Sequence, residues 1–455
     1  LERRYVDPGF ETVEKSEIRR YQLGKISALI DLTWRRNAFY RDHWQSHGAK
    51  RAIIESLEQF RAEIPIARKA DLIADLAACP PYGKRLAAVA EGKQPHILFT
   101  TSGTSGQGVE LHAETYRERR RGYRVSRCLY RWSGLEPGDS VFLCYGVTML
   151  GGGRIELYGL EDYGLTVFPV ATYDVNRKLD LMEKFKPSAV MATTSYLGHL
   201  AAVGGERGRL HRPKVLFGGG EGASCAWFEK QQEIWGAPIV NHYGSTQSRV
   251  DHMHPCEHGL GTRARPGLLH NIDPGFYVEF IDPATGKHVR DGERGEIVVT
   301  SLIHTDYPLI RHAMGDACIY REAGYCPCGR PFDGAEVGSI ARMDDMKKIK
   351  GINVWPQAVD EAVFAHRGVD EYQVVLTRSQ AEADVATVRV MSDPKLAADK
   401  VAELCGRIRD ELRRRIGIGF DVVSVGPGAL QRSEYKARRW LDQRAGLIAA
   451  GDGGT

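Results

Sequence analysis

The stretch FTTSGTSGQGVELHAET, residues 99–115, sets the hydroxyls of Thr100, Thr101, Ser102, Thr104 and Ser105 among Gly103, Gly106 and Gly108. Glycines let backbone N–H groups converge on an anion without Cβ obstruction, and the hydroxyls add further donors. The stretch is not a G-x-x-x-x-G-K-[ST] phosphate loop, because Gln107 follows Gly106 and no lysine closes it. A phosphate cradle and a polar surface turn are both compatible with these residues. A second group offers metal chemistry: Cys256 and His258 in HPCEHG, Cys326 and Cys328 in GYCPCGR. Three thiols and an imidazole make a four-coordinate zinc set, with His252 or His254 in reserve. All four ligands would come from protein, so the ion would staple the fold and leave no position for a substrate. Four unconnected residues are the competing reading, since the two pairs lie far apart in the chain.

The elements that must position these residues follow from pattern. A chain of 455 residues exceeds what one core serves, so at least two structural units are expected. A net charge of +4 is too mild to argue for nucleic acid. No apolar run approaches the ~20 residues of a membrane helix. Nine cysteines without a paired framework point to reduced thiols and the cytoplasm. Leu23, Ile26, Ile30 and Trp34 fall at helical spacing. From residue 138 to 300, short apolar runs (SVFLCYG, LTVFPV, SAVMATT, PKVLFGGG, PIVNHYG) alternate with helical stretches, which predicts an α/β domain with ligand loops at strand ends. FYVEFIDPATGKHVRDGERGEIVVTSL reads instead as two antiparallel strands. A smaller α+β unit begins near Asp344, with strands YQVVLTR, VATVRVMS and FDVVSV and a helix carrying Val401, Leu404, Ile408, Leu412 and Ile416 on one face. The charged ARMDDMKKIKG between the units reads as a hinge or exposed turn. The division is thus 1–343 and 344–455.

TSGTSGQG, HYGSTQS, YPLIRHAMGD, ARMDDMKKIKGINVWPQAVDEAV and RSEYKARRW, in that order, resemble the adenylate-forming superfamily in its acyl- and aryl-CoA synthetase branch. GYCPCGR, DDMKKIKGINVWP and SEYKARR are most similar to the phenylacetate–CoA ligase group. The resemblance implies a large N-terminal domain with a small mobile C-terminal domain. It implies attack of a carboxylate on the α-phosphorus of MgATP, release of pyrophosphate, and transfer of the acyl group to coenzyme A or a carrier-protein phosphopantetheine.

Carried over residue by residue, the resemblance places the phosphates against Thr101, Ser102, Gly103, Thr104, Ser105 and Gly106. The adenine lies beside Gly219, Gly220, Glu221, Tyr243, Gly244 and Ser245. Asp316 accepts the ribose hydroxyls and Arg342 lies on the ribose and phosphate side. Lys436 bridges the acid and the α-phosphate, Thr246 and Gln247 complete the catalytic set, and Asp344 is the hinge. Relatives carry a magnesium-binding glutamate where this chain has Gln247. The metal then rests on ATP alone, or Glu221 or another acid substitutes. The acyl pocket maps to Tyr145, Gly151, Gly152, Tyr196, Gly218 and His242. Its glycines suit a flat ring, and its polar groups suit a hydroxy- or aminobenzoate, a hydroxyanthranilate or phenylacetate. A homodimer is implied by resemblance only. Gln107 and Gln247 keep open a non-catalytic nucleotide or acyl-ligand sensor. The arginine-rich residues 116–127 read as a solvated helix face on which coenzyme A or an acidic carrier protein could dock.

Overall fold

The computed structural model describes residues 2–101, 108–379, 383–430 and 439–444. Ser102, Gly103, Thr104, Ser105, Gly106 and Lys436 lie outside the described residues. The helix Lys15–Arg36 buries Ile18, Ile26, Leu29, Ile30 and Trp34. With Ala38–Ser46, which buries Phe39, Tyr40 and Trp44, it packs on Tyr277, Leu302 and Ile310. These helices cover an eight-stranded antiparallel sheet. Among the described residues, no helix is long and apolar enough to cross a membrane.

The alternating region forms a five-stranded parallel sheet in the spatial order Thr166–Pro169, Ser140–Leu143, Ala189–Thr193, Val215–Gly219, Ile239–Asn241. Ala189–Thr193 and Val215–Gly219 are buried along their whole length, which is why they read as unbroken apolar runs. Helices Gly151–Tyr163, Val175–Phe185, Thr194–Glu206 and Cys225–Trp235 make the crossovers. The first strand in sequence lies second in space, so chain direction reverses between Ser140–Leu143 and Ala189–Thr193. Such a switch point opens a crevice at the strands' carboxyl ends.

Ile239–Asn241 passes directly into Tyr243–Ser245, the edge of the antiparallel sheet. That sheet runs through Val250–His254, Leu268–Asn271, Gly334–Glu336, His312–Arg321, Arg294–Ser301 and Phe276–Ile281, with Ala341–Arg342 paired to His312–Arg321. His96–Thr100 and Leu111–Thr115 form a separate hairpin flanking the hydroxyl and glycine loop.

After the short turn Met343–Asp345, part of the charged link is itself structured. Lys347–Ile349 and Ile352–Val354 pair across Lys350 and Gly351, both left-handed (φ 49° and 82°), the geometry of a two-residue hairpin turn. The remainder builds a four-stranded sheet, Asp421–Val425, Asp384–Ser392, Val369–Arg378 and Trp440–Asp442, covered by Ala398–Ile416, which buries Leu404, Cys405, Ile408 and Leu412. This unit grips the helix Cys225–Trp235. From its own helix Pro356–Phe364, Asp360 accepts from Ser224 N (3.0 Å) and Glu361 from Ala226 N (2.9 Å), placing two carboxylates at a helix N-terminus. Lys230 donates to the carbonyls of Val369 and Asp370, and Arg263 pairs with Glu361 at 2.8 Å.

Gly334 sits between two strands where an added Cβ would lie 1.9 Å from the Leu269 carbonyl oxygen. Gly334→Ala therefore forces the strands apart, and a loss of about 1–3 kcal/mol in denaturant unfolding is expected; unchanged stability would show that the sheet yields there.

Candidate active site

The hairpin Tyr243–Ser245 to Val250–His254 organises the nucleotide side. Its turn closes through Arg249 N to Ser245 O (3.0 Å) and reciprocal bonds between Ser245 and Ser248, with Arg249 left-handed at φ 60°. Gly244 is required by close approach, since a Cβ would meet Asp251 Oδ1 at 2.0 Å. The Tyr243 hydroxyl donates to Asp316 Oδ2 at 2.8 Å, and Arg342 Nη1 lies 3.6 Å from Asp316 Oδ1. Asp316 and Arg342 are cross-strand partners, so antiparallel register brings them together. Burial pushes the Asp316 carboxyl up to about 6 against the pull of Arg342 and the Tyr243 hydrogen bond. Arg342 also binds Asp344, at 3.1 Å, tying the nucleotide side to the hinge position.

At the switch point, Tyr145 follows the strand Ser140–Leu143 and its hydroxyl donates to Ala192 O at 2.7 Å, spanning the crevice. Gly218 and Gly219 end the neighbouring strand, and Gly220 turns left-handed at φ 75°. A Cβ on Gly219 would lie 2.5 Å from the His242 ring. His242 Nδ1 bonds Asp251 Oδ2, while its Nε2 is buried without a hydrogen-bond partner. Glu156, from the helix Gly151–Tyr163, comes within 4.0 Å of His242 and accepts from Tyr130 at 3.1 Å. Burial raises Asp251, but the His242 imidazole prevails and holds it below the usual carboxylate range. Burial and the Asp251 charge push Glu156 well upward, so it keeps its proton. Gly151 N approaches Thr246 Oγ1 at 3.4 Å, and Gly152 is exposed with open space where a Cβ would stand. Tyr196 is used otherwise: its buried ring packs in the core and its hydroxyl accepts from buried Lys178 at 2.9 Å.

Two residues depart from the sequence expectation. Glu221 does not stand as a spare acid, because Ser195 N donates to its Oε1 at 2.7 Å and the Ser195 hydroxyl bonds the same oxygen, at the start of the helix Thr194–Glu206. Gln247 donates to Glu110 Oε2 at 2.8 Å. Glu110 escaped sequence reasoning, although its alternation with His112 and Glu114, which lie along the strand Leu111–Thr115 that it precedes, is a signal that could have found it. Arg119 is likewise not part of a solvated arginine face, since it is buried against Glu114.

His258 does not join the thiols. It is half-buried outside the group, and the fourth ligand position belongs to His270. Cys256, His270, Cys326 and Cys328 are all buried, with ligand atoms within 4.8 Å of one another. Cys256 Sγ lies 3.5 Å from Cys326 Sγ, and Cys328 Sγ 3.5 Å from His270 Nε2. A tetrahedral ion with ~2.3 Å bonds to sulfur needs S···S edges of about 3.8 Å, so the set fits zinc and is too open for a disulfide. The reserve histidines stand elsewhere: His252 bonds Asn271 at 3.1 Å, and His254 packs edge-on to Trp132. Arg330 anchors the cluster through Glu11 (2.8 Å), Glu257 (2.9 Å) and the Trp132 face, 4.3 Å away.

Residues 38–303 match the AMP-binding enzyme family and residues 351–444 the AMP-binding enzyme C-terminal domain. The chain therefore belongs to the AMP-binding enzyme family, and its fold is that of an adenylate-forming ligase of the acid–thiol type. It is 28% identical to a phenylacetate-coenzyme A ligase of Thermus thermophilus, over 96% of this chain and 99% of that protein. A 2-hydroxyisobutyryl-CoA ligase in the postadenylation state with 2-HIB-AMP superposes with a TM-score of 0.88 at 27% identity, over 98% of this chain and 94% of that one. The same enzyme in the thioesterification state, with 2-HIB-AMP and CoA, superposes at 0.69, over 96% and 92%.

Gly219→Ala drives its methyl into the His242 ring. Acid-dependent ATP–pyrophosphate exchange is expected to fall by about a hundredfold while near-UV circular dichroism stays native; unaltered exchange would remove His242 from the site.

Proposed function

We propose that this chain activates an aromatic carboxylic acid with MgATP to an acyl-adenylate, releases pyrophosphate, and passes the acyl group to coenzyme A or a carrier-protein phosphopantetheine. The observation that carries this reading is the convergence of Tyr243, Asp316 and Arg342 beside the crevice spanned by Tyr145. An anionic nucleophile must approach a polyanion, so the main catalytic need is fixed positive charge and donors around the phosphates. Arg342, Thr101, the hydroxyl and glycine loop, and Lys436 from the small domain fill that role. Asp316 accepts the ribose hydroxyls and Tyr243 covers the adenine.

Tyr145, Gly151, Gly152 and Gly218 line a slot for a ring, and the His242–Asp251–Glu156 group favours an acid with its own hydrogen-bonding substituent. Hydroxy- and aminobenzoates are the leading class, with phenylacetate beside them because a relative is named for it. A small 2-hydroxy acid is the second reading, supported by the likeness to a 2-hydroxyisobutyryl-CoA ligase. The better superposition on that enzyme's postadenylation state supports an arrangement of the two domains suited to the first half-reaction, with Asp344 as the pivot toward thiol transfer. Cys256, His270, Cys326 and Cys328 would hold one structural zinc ion. All cysteines among the described residues are unpaired, which suits the cytoplasm.

Pyrophosphate exchange over benzoates, phenylacetate and 2-hydroxyisobutyrate tests the reading. Activity lost on the order of a hundredfold in Lys436→Ala is expected, whereas nucleotide binding without exchange for any acid would make the protein a sensor. Asp316 must be ionised to accept two hydroxyls, and it ionises near pH 6 in the free protein. Adenosine binding is therefore strong above that pH and weakens about tenfold by pH 5; Asp316→Asn should bind weakly with no such step in a calorimetric titration. Metal analysis of purified protein should find one zinc per chain, and Cys328→Ser should lose it together with thermal stability. Zinc-free native protein of unchanged stability would refute the staple.

A further inference from the structure

The position that should carry a magnesium-binding glutamate carries Gln247, yet the site has a carboxylate there by another route. Gln247 Nε2 donates to Glu110 Oε2 at 2.8 Å, and both side chains are buried. Glu110 stands at the foot of the hydroxyl and glycine loop: Thr101 N donates to Glu110 O at 3.1 Å, and Glu110 N to Thr101 Oγ1 at 3.0 Å. Its second oxygen, Oε1, is buried with no hydrogen-bond partner among the described residues; His312 Nε2 lies 3.7 Å away. That separation is beyond a hydrogen bond.

The other acids of the site also have partners, and among them none has a buried carboxylate oxygen left without one; Glu156 accepts from Tyr130. Glu221 holds Ser195, Asp251 holds His242, and Asp316 holds Tyr243 and faces Arg342. A buried carboxylate oxygen left unpaired calls for a physical reason, and a missing cation is one. Mg²⁺ takes one or two carboxylate oxygens and completes its shell with phosphate and water. An amide in place of the usual acid is then suited to a different task, because it donates where a second carboxylate would repel.

We propose that Glu110, clamped through one oxygen by Gln247, presents its other oxygen to the magnesium ion that accompanies ATP, so that acid and anchor have exchanged places in this chain. The inference rests on the adenylation reading above and adds a metal-binding residue to it.

The test compares native protein, Glu110→Gln, and the exchanged pair Glu110→Gln/Gln247→Glu. Mn²⁺ electron paramagnetic resonance in the presence of ATP reads the metal, and calorimetry with AMP in chelator reads the nucleotide pocket without it. In Glu110→Gln, Mn²⁺ affinity in the ternary complex should weaken about tenfold or more with AMP binding held within about twofold, and the exchanged pair should recover most of the loss. Native-like Mn²⁺ affinity in Glu110→Gln overturns the proposal. So does equal weakening of Mn²⁺ and AMP that the exchanged pair fails to restore, the signature of a packing role, and so does failure of both variants to fold. If native protein shows no divalent-dependent ATP binding, it is the adenylation reading that falls.

Discussion

One tight turn carries the site. Between Tyr243 and His254 the chain leaves the parallel sheet, reverses through the left-handed Arg249 and enters the antiparallel sheet. A non-glycine residue holds that conformation only where its surroundings over-determine it. Here the buried Arg249 guanidinium donates to the carbonyls of Ala113 and Tyr307, and Ser245 and Ser248 lock the turn from within. In one short segment, Tyr243 then reaches Asp316, Thr246 approaches Gly151, Gln247 reaches Glu110 and Asp251 holds His242. Asp316, Gly151, Glu110 and His242 thus meet one hairpin, and a change in its register would separate them.

The interior around this hairpin is unusually charged. Arg119 with Glu114, Arg311 with Glu279, and Arg330 with Glu11 and Glu257 are all buried pairs. Burying such pairs gains little net stability, because desolvation offsets the attraction, whereas removing one partner strands a charge. Their effect here is positional. Arg311 ties the strands of the antiparallel sheet to the carbonyls of Arg61 and Ile64, and Arg330 ties the thiol cluster to the N-terminal segment. A site in which a carboxylate must approach ATP phosphates needs walls whose charges and donors stay fixed as the two anions meet.

The small domain is held on Cys225–Trp235 by charge on dipole and side chain on carbonyl, through Asp360, Glu361 and Lys230. Beneath these polar contacts the two units share a buried apolar cluster in which Trp227 and Phe228 join Val359, Val363 and Phe364. Burial of that seam holds the units together, and the polar contacts fix the angle at which they meet.

Alternating apolar runs, helical spacing and turn residues were sufficient to locate both sheets, the long helices and the second unit, because those features depend on local periodicity. The motifs around Tyr243, Asp316 and Arg342 stand out by resemblance, because each is a short contiguous segment, and the roles they imply belong to the proposal above. Partners across distant strands were not. His270 rather than His258 completes the thiol group because Leu268–Asn271 pairs with both Val250–His254 and Gly334–Glu336, which brings its histidine to Cys328. Glu221 accepts from Ser195 N through Oε1, and Glu110 meets Gln247 from 137 positions away. The sequence by itself determined the elements, the family and the kinds of groups at the site. Which of those groups meet was decided by the tertiary structure, since register and turn geometry set contacts between residues from 26 to 137 positions apart, and no local pattern encodes them.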